Sequence, residues 1–422
     1  MFSMNSLWEA TAKPGVEYPP LAGTHRCDVL VIGAGFTGLS AALHLAEAGS
    51  ATILLEAVQP GQGGSGRNGG QVIPGLKEDP DDLERHFGPD SAAFAGGTAD
   101  VTFSLIDRLG IDCDAARDGW IQAGVAKCHV PGLEARARQW ESRGVAVEWL
   151  DRDAMAARTG SHYFVAGWRD PRAGRLHPLK YVRGLAAAAA RAGVDIRGHS
   201  PVTGIARRGK RWVASTAQGQ VEAERIVMAS NAYTPAALWP GLRQTIVPAN
   251  SFQVATEPLS PELLAQILPR GEAVSDIRRI GNYFRIGPGN RLLMGGRGSF
   301  AEPAADSAFD GIAAAIRRLF PKAGRLKITH RWGGRVGMTT DHLPHLHELA
   351  PGLLAAIGYN GRGVALGTAM GRALADHLTT GKALPLPVSK PQPLPMHGLH
   401  PIYAGLAIHW YRLRDAVEAR QR

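Results

Sequence analysis

The sequence predicts an α/β protein: a doubly wound parallel sheet assembled from several chain segments, with a second, mixed α+β domain inserted between them. Three observations carry this. Residues 28–56 run from an apolar stretch through a glycine turn into an amphipathic stretch ended by Gly49, and then into a second apolar run. That is the pattern of a strand–helix–strand unit. Short apolar runs recur at 194–196, 226–229 and 353–357, whereas 87–160 and 241–329 carry longer helical patterns and alternating strands. At 422 residues the chain is also long enough to bury two domains.

The first unit reads DVLVIGAGFTGLSAALHLAEAGSATILLE. Gly33 permits the tight turn off the strand, Gly35 lets backbone approach a pyrophosphate, and Gly38 lets the helix pack close to the strand. The helix N-terminus, with Phe36 and Thr37 in its first turn, faces the phosphates. Glu56, followed by Ala57, accepts hydrogen bonds from the adenosine ribose. Strand, helix, second strand and acid fall in register, so this is a Rossmann-like dinucleotide site rather than a chance glycine cluster. Residues 61–71, GQGGSGRNGGQ, separate FAD from NAD. So many glycines are costly to order and mark backbone lying against a bulky ligand. Gly64, Ser65, Gly69, Gly70 and Gln71 offer it contacts, and Arg67 and Asn68 add donors within reach of an isoalloxazine ring.

SGRNGGQ after the second strand, and SLWEAT before the first, resemble the flavin-dependent amine and amino-acid oxidoreductases of the D-amino-acid oxidase, glycine oxidase and sarcosine oxidase superfamily. Within it the chain looks most like the gamma-glutamylputrescine oxidoreductase branch, from about residue 6 to about 417. The resemblance implies an FAD-binding domain made of 1–86, 161–240 and 330–390, a substrate domain of 87–160 and 241–329, and a C-terminal arm and helix at 391–422. It puts Val202 at the adenine and Ser230, Asn231 and Ala232 beside the cofactor, at the carboxyl end of a strand where open α/β sheets gather ligands. Gly361, Arg362, Gly363 and Val364 form a second glycine-rich strand-to-helix turn, matching the one at the pyrimidine end of the flavin. His177 falls in a segment near the flavin, and capping or core hydrogen bonding is the reading preferred for it over a part in the site. Some relatives attach FAD covalently, through a cysteine after the substrate sheet or a histidine in the loop after the second strand. Here the cysteines lie before residue 130 and the loop holds no histidine, so non-covalent FAD is expected.

Between these segments, 91–109 and 133–141 read as helices ended by glycine, and Asp151 as a helix cap. Residues 181–192 form an Ala-rich helix, followed by short strands at 203–206, 211–216, 220–223 and 226–229. In the second substrate piece, strands are expected at 251–256, 282–286 and 291–295, with Pro288-Gly289-Asn290 as a hairpin turn. Such a sheet walls the pocket in this superfamily, making Tyr283, Arg285 and Arg297 the pocket residues to examine; Arg297 is able to clamp a carboxylate bidentately. Tyr283 and Arg285 share one face. Beyond the Pro-rich connector at 384–395, Leu406, Trp410, Leu413 and Val417 share a helical face expected to pack on the body, with binding to a membrane surface as the alternative.

Composition narrows the classes. The net charge of +10 comes from scattered Arg, not from a basic block interleaved with aromatics, which argues against nucleic acid. No apolar run reaches the ~18 residues of a membrane span, and MFSMNSLWEATAKPG lacks the pattern of a signal peptide. The three cysteines have no disulfide or metal spacing, and a cytoplasmic setting is expected. His342, His345 and His347 flank a Pro-containing loop that does not bring ligands together, so no metal is expected.

The resulting expectation is FAD-dependent oxidation of an amine C–N bond. Hydride passes from the carbon bearing nitrogen to flavin N5, and the imine hydrolyses to an aldehyde or oxo acid. The amine must be unprotonated, but no strong base is needed, so positioning and electrostatics supply the rate. The branch implies a gamma-glutamylated polyamine as substrate, with Arg297 or Arg285 on its carboxylate. A small amino acid (glycine, sarcosine or a D-amino acid) is the alternative enzyme reading, and a non-catalytic flavin-binding subunit of a larger dehydrogenase the alternative of another class. The electron acceptor is O2 or a quinone, since one gating side chain decides between them.

Overall fold

The computed structural model describes residues 6–300, 302–303 and 305–420. The first five residues of the N-terminal segment read above lie outside the described residues. Five strands run parallel in the order Leu353–Ile357, Gly219–Met228, Gly23–Ile32, Thr52–Leu55 and Asp195–Arg197. Ile32 pairs with both Leu55 and Met228, so the carboxyl ends lie level. Both faces are buried, which is why these strands read as continuous apolar runs. Val29, Val31, Leu54 and Val227 pack with helices Phe36–Glu47, Pro178–Arg191 and Ala365–Thr380. Leu30, Ile32, Ile53 and Met228 meet Trp212, Val221 and Leu242 on the other side.

One strand replaces the two expected over 220–229. Gly219–Met228 starts in an antiparallel meander with Gly204–Arg208 and Arg211–Ser215, and ends in the parallel core. The polar pair Glu224-Arg225 interrupts the apolar pattern where the meander partner stops, not at a turn.

The second sheet has eight strands, in the order Ile328–Met338, Val247–Pro258, Arg291–Arg297, Asn282–Gly287, Ala273–Asp276, Trp120–Gly124, Ala166–Asp170 and Glu148–Leu150. It corrects two expected boundaries. Ala166–Asp170 pairs with Trp120–Gly124, and Ile328–Met338 with Val247–Pro258, so both strands lie outside the cofactor sheet to which 161–240 and 330–390 were assigned. Pro288-Gly289-Asn290 is the hairpin turn, with Gly289 and Asn290 in the left-handed region at φ 66° and 56°. Phe252, Val254, Phe284 and Met294 fill a core with helix Asp310–Leu319. The two-residue period then turns Ser251, Gln253, Tyr283 and Arg285 to the opposite face, toward the first sheet.

The connector after the last parallel-sheet helix adds Val388–Ser389 alongside His345–Ala350 and leads to helix His400–Glu418. Here the expectation fails. Leu406, Trp410, Leu413 and Val417 are exposed, and the side of the helix that meets the body carries Asp415. Asp415 accepts from the Arg279 and Ile280 amides, which fixes this side of the helix against the body. No helix among the described residues is long and apolar enough to cross a membrane.

Helices Phe36–Glu47 and Ala365–Thr380 approach so closely that a Cβ on Gly371 would overlap the Thr37 carbonyl oxygen and come within 2.8 Å of the Ala41 nitrogen. Gly371→Ala should therefore destabilise the fold by about 1–3 kcal/mol. Denaturant unfolding checks this: the midpoint should fall with an unchanged m value, and an unchanged midpoint would mean the helices re-space freely.

Candidate active site

A cavity of about 770 Å³ opens at the carboxyl ends of the parallel strands, between the two sheets. Ile32 leads into Gly33, Leu55 into Glu56, and Met228 into Ala229 and Ser230 at its edge. Gly33 turns the chain at φ 105°, and a Cβ on Gly38 would overlap the Gly33 carbonyl oxygen. The first turn of helix Phe36–Glu47 points its amides into the cavity. Ser65, from the glycine-rich loop, accepts from the Phe36 amide at 3.0 Å, tying the loop to the helix N-terminus.

Of the cofactor residues read from sequence, Gly33, Gly35, Phe36, Thr37, Glu56, Ala57, Gly64, Ser65, Arg67, Asn68, Gly69, Gln71, Val202, Ser230, Asn231, Ala232 and Gly361–Val364 line this cavity. Gly38 and Gly70 do not: Gly38 lies beneath the turn, and Gly70, at φ 66°, turns the loop against the Leu176 carbonyl. Glu56 is half-buried and accepts from the Ala34 amide at 2.7 Å and the Val58 amide at 3.1 Å, while desolvation pushes its carboxyl pKa up. Asn68 spends both side-chain donors inside the loop, on the Gly64 and Ser65 carbonyls, and accepts from the Gly70 amide. Its side chain shapes the loop.

The loop is held from outside at three successive carbonyls. Gln253 Nε2 at 2.6 Å and Trp332 Nε1 at 3.0 Å donate to Arg67, Trp8 Nε1 at 3.0 Å to Asn68, and Arg285 Nε at 2.7 Å to Gly69. Arg285 also donates to the Leu176 and Ile286 carbonyls, and burial lowers its pKa to about 9. It does not line the cavity, so the expected part for Arg285 in holding substrate is replaced by one in bracing the loop. As a site candidate His177 is likewise corrected. It caps helix Pro178–Arg191 by accepting from the Lys180 amide, meets Thr11 Oγ1 at 3.0 Å and stacks edge-on against Trp8, away from the cavity.

Tyr283 and Arg297 do reach the cavity. Tyr283 hydroxyl bonds Ser251 Oγ at 2.8 Å, and burial pushes its pKa up to about 12, so it is a neutral phenol. Arg297 sits over the Phe300 ring at 5.0 Å; its buried Nε has no hydrogen-bond partner among the described residues. Burial, then repulsion from Arg412, lowers its pKa to about 10, still a cation at neutral pH. At the second turn, Arg362 lies over the Trp120 ring at 4.8 Å, its pKa brought to about 9 by burial and by Arg136. Thr37 and Tyr359 bridge the two helix N-termini by a 2.8 Å hydrogen bond.

Sequence reading missed Trp8, Gln253, Trp332, Tyr359 and the loop from Asp276 to Gly281. The aromatic residues offered a weak signal, as large apolar side chains in polar stretches; the loop offered none. Among the described residues, the one group with metal-ligand spacing is Cys128, His129 and Glu418, remote from His342, His345 and His347, and Arg279 already donates to that carboxylate at 2.8 Å.

A glycine-lined cradle at a helix N-terminus, with an acid at the end of the next strand, fits the pyrophosphate and ribose of a dinucleotide. The second turn at 361–364 opens helix Ala365–Thr380 toward the far end of the same cavity, which suits a flavin ring. Residues 28–377 match the family model described as FAD dependent oxidoreductase (DAO). The chain belongs to this DAO family of FAD-dependent oxidoreductases. It is 34% identical over 374 residues to a probable oxidoreductase OrdL of Haemophilus influenzae, covering 85% of this chain and 84% of that one. It is 32% identical over 379 residues to the gamma-glutamylputrescine oxidoreductase of Escherichia coli, covering 89% and 88%. Its fold matches glycine oxidase from Geobacillus kaustophilus with a TM-score of 0.75 at 23% identity, over 86% of this chain and 97% of that one. The cofactor is FAD, held without a covalent bond; neither cysteine nor histidine is among the described residues lining the cavity.

Burial holds the His177 imidazole pKa at about 4, against 6.5 for the free group. Above pH 6.5 both folded and unfolded chains carry it neutral. Below that, the unfolded chain gains a proton that the folded chain refuses, so stability is lost as pH falls. The loss should be about 2 kcal/mol between pH 7 and pH 5. His177→Asn keeps an N-cap acceptor and should decline less steeply on acidification; equal slopes in denaturant titrations would contradict the assignment.

Proposed function

We propose that the chain oxidises the C–N bond of an amine that also carries a carboxylate, a gamma-glutamylated polyamine being the substrate of best fit. The observation that carries this is the charge of the pocket. Arg297 and Arg362 line the cavity with no carboxylate partner among the described residues. The acids that line it are otherwise engaged: Asp276 pairs with Arg278 at 2.5 Å and accepts from the Asn282 amide, and Glu56 lies at the adenosine end. A buried guanidinium with an idle N–H recruits an acceptor. A carboxylate meets that need, whereas a free diamine would bring two more positive charges.

FAD, when bound, supplies the acceptor for the hydride that leaves the carbon bearing nitrogen. Arg297 orients the carboxylate end of the substrate, and Tyr283, fixed by Ser251, sets the wall beside it. The amides of 361–364 and the Arg362 guanidinium stabilise negative charge developing at the pyrimidine end of the site. The same cations disfavour an ammonium and so promote the neutral amine that the reaction requires. No acid–base pair is needed, in keeping with a neutral Tyr283. The 32% identity to a gamma-glutamylputrescine oxidoreductase supports this substrate class.

Anaerobic mixing with gamma-glutamylputrescine, putrescine, glycine, sarcosine and D-amino acids tests the reading. Gamma-glutamylputrescine should bleach the flavin absorbance and putrescine should not. Arg297→Met should raise the KM for the carboxylated amine about 10- to 100-fold, the loss of one charge-assisted bond, with a smaller change in kcat. Faster bleaching by putrescine would overturn the carboxylate assignment; bleaching by a small amino acid alone would move the substrate class; bleaching by none would favour a flavin-binding subunit.

A further inference from the structure

Helix His400–Glu418 is seated the wrong way round for a helix of a globular surface. The side that meets the body carries Asp415 and Glu418 beside the half-buried Ala404, Ala407 and Ile408. Asp415 is buried and accepts from the Ile280 amide at 2.9 Å, the Arg279 amide at 3.3 Å and Arg279 Nη1 at 3.2 Å, and Glu418 accepts from the same guanidinium at 2.8 Å. Ile402, Leu406, Trp410, Leu413 and Val417, spaced three or four residues apart, form one stripe on the outside, each between 51% and 67% exposed. An amphipathic helix of a monomer buries that stripe; this one presents it as a continuous ridge about 22 Å long.

Charge decides what covers it. Both acids of the helix are engaged on its inner side, with Arg279 and His129. Arg414 pairs with Glu418 at 3.7 Å, so the charges left around the ridge are Arg412 and, just beyond the helix, Arg420, on a chain of net charge +10. A second copy would set these cations against their equivalents. An anionic lipid surface is attracted by them, accepts the aliphatic residues below the headgroups and suits Trp410 and Tyr411 at headgroup level. We propose that His400–Glu418 is an interfacial helix that docks this protein on anionic membrane, lying in the plane of the surface. Because Asp415 and Glu418 grip Arg279 and Ile280, which line the cavity, the docked face and the pocket share one loop.

Cosedimentation of the full-length, flavin-loaded protein with phosphatidylcholine vesicles, and with 2:1 phosphatidylcholine/phosphatidylglycerol vesicles, tests this. The protein should partition onto the anionic vesicles at least tenfold more strongly than onto the neutral ones, and high salt should release it. The double variant Leu406→Glu, Leu413→Glu changes exposed positions only, so it should keep its flavin and lose the binding. Wild-type protein that stays in the supernatant with both vesicle types overturns the proposal, as does binding that the double variant leaves unchanged. A lipid-free dimer in sedimentation velocity that the double variant dissociates would assign the ridge to a second copy, and also overturns it.

Discussion

The loop from Gly61 to Gln71 cannot hold its own shape, and the rest of the architecture is organised around fixing it. A run of glycines has great conformational freedom and little side-chain surface to bury. Its carbonyls at 67, 68 and 69 are each taken by a donor from a different part of the chain: Gln253 and Trp332 from the second sheet, Trp8 from the N-terminal helix, and Arg285 from the hairpin. All four donors are buried, so losing Trp8 or Arg285 would strand the Asn68 or Gly69 carbonyl in a low-dielectric environment, where an unpaired group is expensive, while the Arg67 carbonyl has two donors to lose. The two sheets are thereby joined through the loop that both need.

This arrangement also sorts the cationic side chains. All three stand over aromatic rings, but Arg285 is spent on carbonyls and stays out of the cavity, whereas Arg297 and Arg362 line it. Burial lowers the pKa of each without discharging it at neutral pH, so the site keeps fixed positive charge where water is excluded. Two residues of one type, a few positions apart on one hairpin, thus do different work. The difference lies in which backbone atoms each side chain meets.

What the sequence made legible was whatever depends on local order. Gly33 and Gly38 sit where a turn and a close helix approach forbid a side chain, and Glu56 follows directly from its strand. The parallel strands were readable because both faces are buried, and the 282–297 hairpin because Pro288-Gly289-Asn290 is turn chemistry. Long-range contacts were not readable. The cap at His177 was readable, but nothing near it announces Thr11 and Trp8 as its neighbours, and nothing near Arg285 announces the Gly69 carbonyl 216 positions away. Strands Ala166–Asp170 and Ile328–Met338 were assigned to the wrong sheet because pairing partners, not local pattern, decide membership. The C-terminal helix inverted its expected orientation because the stripe was legible but Asp415's partners at 279 and 280 were not.

The most direct test is the flavin content of the purified protein. On this account it carries about one FAD per chain, seen as the flavin absorbance of the native protein, and acid precipitation leaves that FAD in the supernatant. Gln253→Ala, which leaves the Arg67 carbonyl only its Trp332 donor and does not touch the dinucleotide motif, should lower the occupancy while the chain stays folded. A protein that takes up no flavin even on reconstitution, or whose flavin stays with the precipitate, would contradict the cradle described here.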